Sequence, residues 1–168
     1  GSFGSHLSCL DPVTVFRGEN STCEFTGITV AGKGQCLDTG AKVEAYGKNT
    51  SININSKSIS KVGGEAVYRS VVHIGPHAEG AKGAISCESL MLDDESRSDT
   101  IPDIIIENDD IDLGHEATIG RIPDEDIYYL MSRGLSEEDA KAMLVRGFAE
   151  PISKELPLEY AVEMNRLI

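Results

Sequence analysis

Tryptophan is missing from this chain, and phenylalanine and tyrosine make up only 5% of its 168 residues. A carbohydrate-active enzyme would want aromatic platforms beside paired acids on one strand face, so that function class is set aside. No apolar run reaches the roughly 20 residues that a membrane-spanning helix requires. The start, Gly1-Ser2-Phe3-Gly4-Ser5-His6, has neither a basic nor an apolar region of the kind a secretion signal carries. Gly1-Ser2 is expected to be a remnant of cloning on a piece of something longer, with residues 1–12 lying outside the fold as an unordered start. The four cysteines, Cys9, Cys23, Cys36 and Cys87, include no Cys-x-x-Cys pair, which favours free thiols in a reducing cytoplasm. No GxxxxGK[ST], GxGxxG or GxSxG occurs, so any ATP hydrolysis must come from a partner.

Negative charge is scarce in one half only. Residues 1–86 balance at a net +1, whereas residues 87–168 carry −14 and so account for the whole formal charge of −13. An acidic half argues against nucleic-acid phosphates and anionic membranes as partners, and suits cations or a basic protein surface. A solvated acidic face explains the charge equally well. The acidic runs Asp93-Asp94-Glu95 and Glu107-Asn108-Asp109-Asp110 lack the ligand spacing and central glycine of a calcium loop.

What the chain does have is glycine, 17 of them, set between short β-type runs. These runs are Val13–Phe16, Cys23–Val30, Ala41–Tyr46, Ser51–Asn55, Ala66–Ile74, Gly83–Leu92 and Ile104–Ile106. In Ser51-Ile52-Asn53-Ile54-Asn55 the isoleucines alternate with polar residues, the period of a half-buried strand. A sandwich of hairpins and a solenoid of stacked strands both fit. Few Asn-Gly or Asp-Gly hairpin signals separate the runs, and their spacing is broadly regular, which tips the balance to the solenoid. The expected β body covers residues 13–120.

From residue 121 to 168 the pattern turns helical. Pro123-Asp124-Glu125-Asp126 supplies a first turn, with Ile127, Leu130 and Met131 on one face and Gly134 as the stop. Ser136-Glu137-Glu138-Asp139 has capping-box spacing, and Gly147 fits the end of that second helix. A third helix is expected from near Pro157.

Three groups of segments together resemble the SufB/SufD family. They are Asp38-Thr39-Gly40-Ala41-Lys42 with Gly47-Lys48-Asn49-Thr50; Tyr68-Arg69-Ser70 leading to Cys87-Glu88-Ser89-Leu90; and Gly114-His115-Glu116-Ala117-Thr118 with Ser132-Arg133-Gly134-Leu135. The resemblance runs from about residue 22 to the end, and Glu116 after His115 is similar to the SufB side of the family. It implies a right-handed parallel β-helix with a small helical carboxy-terminal subdomain. It also implies a scaffold for iron–sulfur cluster assembly, not itself an enzyme, that carries a transient cluster and binds no nucleotide. Implied partners are a SufC-type ABC ATPase, a SufB/SufD paralogue or a second copy in a dimer, and a sulfur donor protein. A SufD-like structural subunit that binds no cluster is the alternative.

The resemblance singles out Cys87 as sulfur acceptor and cluster ligand, with His115 and Glu116 as metal ligands beside it. Thiolate, imidazole and carboxylate are all competent for iron. Each has a plainer reading: Cys87 as a small core hydrophobe, His115 bonding a loop, Glu116 capping a helix. As neighbours in a strand, His115 and Glu116 point to opposite faces. They can therefore share a site only at a bend, for which Gly114 is the expected cause, or between subunits. His73 and His77 are four apart, but Gly75-Pro76 between them rules out a helix, so they read as an incidental loop pair. Cys9, Cys23 and Cys36 read as core or surface thiols.

Overall fold

The computed structural model describes residues 1–168. Each run of β-type residues pairs with the run one full turn away and not with its neighbour in sequence. Strands β1 (Ser2–Phe3), β4 (Thr22–Ala31), β6 (Ser51–Ser60), β8 (Ala81–Met91) and β10 (Ile111–Arg121) form one sheet in that order. The second sheet holds β2 (Leu7–Leu10) and β3 (Val13–Phe16), both on β5 (Cys36–Ala45), then β7 (Glu65–Ile74) and β9 (Arg97–Ile106). Every pairing is parallel. Thr22 pairs with Ser51, Ser51 with Lys82 and Lys82 with Asp112, offsets of 29, 31 and 30 residues. A fixed offset of that size is the signature of a solenoid, each turn laying one strand on each sheet. The hairpin sandwich is thereby excluded.

Several strands run longer than the sequence pattern suggests. Cys36–Gly40, Ser56–Ser60 and Arg97–Asp103 are strand although they are rich in hydroxyl, charged or glycine residues. Parallel pairing with the adjacent turns overrides weak local propensity there. Residues 1–12, expected to lie outside the fold, instead contribute β1 and β2, which extend the two sheets by parallel pairs such as Phe3 with Val30 and Cys9 with Asp38.

Alternation sets which residues face inward, and their character changes along each strand, dividing the interior into two halves of different chemistry. One half is aliphatic: Val43, Ala45, Ile52, Ile54, Val72, Ile74, Ala81 and Ile85 pack in a single buried cluster. The other is lined by hydroxyls. Ser58 bonds Ser89 at 2.7 Å and Ser98 at 3.2 Å, Thr29 bonds Thr39 at 3.1 Å, and Ser60 Oγ donates to the Arg97 carbonyl at 2.8 Å. Small side chains that satisfy one another permit burial of polar atoms at little cost.

The turns are as specific as the strands. Asn49, Val62 and Asn20 carry positive φ, and Val62 (φ 54°) leads directly into Gly63 (φ 71°). Asp93, from the corner one turn on, accepts from Val62 N at 2.5 Å, Glu95 N at 3.0 Å and Ser96 N at 2.8 Å. Burial works to raise the Asp93 carboxyl, but these bonds together hold it below its ordinary range. At Gly64 a Cβ would collide with the Ala31 carbonyl of the preceding turn, so only glycine lets successive corners stack.

Helices α1 (Asp124–Ser132), α2 (Glu137–Glu155) and α3 (Leu158–Leu167) follow. Ser136 caps α2, its Oγ accepting from Asp139 N at 3.1 Å. The expected stop at Gly147 is not used, because α2 continues to Glu155 with Pro151 inside it. Proline cannot donate to the Gly147 carbonyl, so that ladder bond is lost. Tertiary packing offsets the loss: Ala149 and Ile152 sit on Ile28 of β4 and Met164 of α3, while Val145 sits on Val30 and Ile59. The helices thus cover the outer face of the first sheet and do not hang from the β body as a free tail. No helix is long and apolar enough to cross a membrane.

Candidate functional site

Cys87 lies in the middle of β8, where Ile85, Cys87 and Ser89 point inward and Ser86 and Glu88 outward. It is 2% exposed and belongs to the aliphatic cluster. Its register neighbours are Ser56 on β6 and Ala117 on β10. Cys87 therefore stands at the seam between the aliphatic and hydroxyl-lined halves of the interior. Burial pushes its thiol up to about 11, so at neutral pH it is protonated.

Strand β10 runs in unbroken register with β8 from Ile111 to Arg121, and Gly114 introduces no bend. Paired residues on parallel strands point the same way. His115, opposite Ile85, therefore shares the inner face with Cys87, whereas Glu116, opposite Ser86, faces outward. Both are exposed, because β10 is the last strand of its sheet and its second edge is free. Within one chain Cys87 and His115 are diagonal neighbours on one face and Glu116 stands on the other. No group of three metal-ligating side chains converges anywhere in the chain.

The outer row beneath Glu116 continues through Ser86 and Asn55, beside the register pair Lys57 and Glu88. Lys57 Nζ sits 2.9 Å from Glu88 and 4.4 Å from the centre of the Phe148 ring on α2, which fixes the helix on this face. Between this row and Pro151, Ile152 and Glu155 of α2 lies a cavity of about 240 Å³.

His73 and His77 form no site. His73, in β7, contacts Glu107 at 2.9 Å and packs edge-on against Tyr46 with ring centres 5.7 Å apart, whereas His77 sits in the following loop. Cys9 is exposed, Cys23 and Cys36 are half-buried, and all three are free thiols. The Cys36 thiol is raised by burial and by Glu65 and Asp38.

The hydroxyl-lined half of the interior is not among the features that the motifs announce. Its trace was the run Ser56-x-Ser58-x-Ser60, a period-2 repeat that places serine where a strand's buried face is normally apolar.

The chain matches the family model for the SUF system FeS cluster assembly SufBD core domain over residues 1–148. Over its whole length it is 52% identical to the iron-sulfur cluster assembly protein SufB of Bacillus subtilis. It is 53% identical to an iron-sulfur cluster assembly SufBD family protein of Staphylococcus saprophyticus and 52% to one of Staphylococcus aureus. In each case the chain covers 36% of the relative's length.

Proposed function

The chain belongs to the SufB/SufD family of SUF-system iron–sulfur cluster assembly proteins, and on that premise we propose that it is the scaffold portion on which sulfur and iron meet. Cys87 receives sulfur, and His115 and Glu116 supply the remaining ligands to a nascent cluster that is cargo and not a resident group. A mixed set of soft thiolate, imidazole and carboxylate suits a cluster that has to leave again. The observation that carries the reading is the β8–β10 register, which puts Cys87 beside Ala117, one residue past Glu116 and two past His115, on the last turn of the solenoid.

The free edge of β10 is where a second subunit, either a paralogue or another copy, completes the site. Exposed backbone donors and acceptors there invite strand addition, and Ile101, Ile104, Ile105, Ile106 and Ile119 are each at least 37% exposed around it. Tyr128 and Tyr129 on α1 are the contacts offered to a SufC-type ATPase, whose own dimerisation would work the last turns apart and uncover Cys87. A sulfur donor protein completes the cytoplasmic machinery. The chain supplies no ATP hydrolysis of its own, and neither nucleic acid nor membrane is among its partners.

The burial of Cys87 favours a second reading, a structural SufD-like subunit in which this thiol is simply core. Cluster reconstitution combined with thermal melting separates the two. As a ligand, Cys87→Ala abolishes assembly, whatever its effect on melting; lowered melting with assembly intact makes Cys87 core alone. His115→Ala and Glu116→Ala, at exposed positions, should shift stability by no more than ~0.5 kcal/mol. Both should nevertheless stop assembly, with little added loss when combined with Cys87→Ala. Full assembly by both single variants sinks the ligand set.

A further inference from the structure

Four buried hydroxyls have no hydrogen-bond partner, those of Thr50, Tyr68, Ser70 and Thr100, and the last three belong to one sheet. Tyr68 on β7 pairs in register with Thr100 on β9, and Ser70 lies two residues further along. Tyr68 is 3% exposed and Ser70 fully buried. Buried polar groups are nearly always satisfied, so three orphans in one place need a reason.

Across the interior stand Ser56 of β6 and Cys87 of β8, register neighbours on the other sheet. Tyr68 and Cys87 belong to the same buried cluster. The Tyr68 hydroxyl is close enough to Ser56 to feel it, yet forms no hydrogen bond of proper geometry. A negative charge on Cys87 would be felt at the phenol, whose ionisation is already suppressed by burial. A cavity of about 110 Å³, lined in part by Tyr68, Ser56, Thr39 and Gly40, reaches the same seam. The phenol is therefore a buried donor with nothing to donate to, in the same buried cluster as the thiol that the functional reading makes the sulfur acceptor.

We propose that Tyr68 is a positioning residue for Cys87, its free hydroxyl donating to the terminal sulfur that Cys87 carries once loaded. The inference rests on the sulfur-acceptor reading above. In the loading step the Cys87 sulfur attacks a sulfane sulfur of the donor. The donor's S–S bond breaks, a new S–S bond forms on Cys87, and the bonding pair and the thiol proton leave with the remainder of the donor, a protein thiol or a polysulfide shortened by one sulfur. One sulfur moves and no net oxidation occurs. The product is a persulfide whose outer sulfur, ionised or not, is a hydrogen-bond acceptor.

Phenylalanine keeps the ring and removes only the orphaned hydroxyl, so Tyr68→Phe should fold and melt no lower than the parent chain. Both proteins, in complex with a SufC-type ATPase and ATP so that the last turns open, are treated with inorganic polysulfide, washed, and followed by peptide mass spectrometry for the added sulfur on the Cys87 peptide. The parent should hold its sulfur roughly tenfold longer than Tyr68→Phe, the effect expected of one hydrogen bond to a charged acceptor. A purely structural tyrosine would leave that lifetime unchanged. Loading the parent should also shift the absorption of one buried tyrosine to longer wavelength, a signal that needs no variant. If the parent gains no sulfur on Cys87, the acceptor reading fails and takes the role of Tyr68 with it. If the parent loads but Tyr68→Phe keeps its sulfur equally long, or no tyrosine band moves, only the role of Tyr68 is overturned.

Discussion

Strands β8 and β10 are both 11 residues long and pair with each other in unbroken parallel register. Ile85 and Cys87 on β8 are each 2% exposed, yet Ile119 on the inner face of β10 is 47% exposed. The difference is position. Strand β8 has a neighbour on each edge, whereas β10 ends its sheet and β9 the other. In a solenoid burial is conferred by the adjacent turns, so the same alternating pattern makes core in the middle and an exposed face at the end.

The widest expected contrast is between two isoleucines on inner faces. Ile85→Ala should cost about 2–5 kcal/mol in chemical denaturation through lost burial and a cavity. Ile119→Ala should cost no more than ~0.5 kcal/mol in the monomer while weakening self-association measured by light scattering. Equal losses of monomer stability at both positions would break the comparison. A strictly monomeric parent at tens of micromolar would remove the interface reading of the last turn.

Next comes Cys87 itself, where Cys87→Ala should lower stability by about 1–3 kcal/mol as a buried side chain is shortened. Because the folded thiol is raised to about 11 from an ordinary 9.0, the sign of its pH dependence is fixed. Below the unfolded value both states hold the proton and its contribution is intact. Between pH 9 and 11 the unfolded chain alone ionises, so stability falls as pH rises through that window, and Cys87→Ala should flatten the fall. At neutral pH an alkylating reagent should label Cys9 first and Cys87 last among the four thiols, readable by peptide mapping.

The smallest effect concerns a corner. Val62 is a β-branched residue at φ 54° whose side chain is 59% exposed, so little packing compensates its backbone. Val62→Asn should stabilise the chain by about 1 kcal/mol in thermal unfolding, since asparagine tolerates the left-handed region. A loss instead would mean that the Val62 side chain is held by contacts with another subunit.

Much of this protein was legible in its residues. Alternation in Ser51–Asn55, glycines between β-type runs and the acidic first turns at Asp124 and Glu137 announce strands, corners and helices, because such signals act over a few residues. The family motifs likewise name Cys87, His115 and Glu116 without any geometry. Only the tertiary structure decided how these pieces bury one another. It carried α2 past Gly147 and through Pro151, because Ala149 and Ile152 gain Ile28 and Met164 as neighbours. It drew residues 1–12 into the sheets through β1 and β2. It put Cys87 inside the solenoid in one buried cluster with the unpartnered Tyr68 and left His115 and Glu116 on opposite faces of a free edge. Local signals fix φ and ψ within a strand, but which face is covered depends on a turn some 30 residues away in sequence.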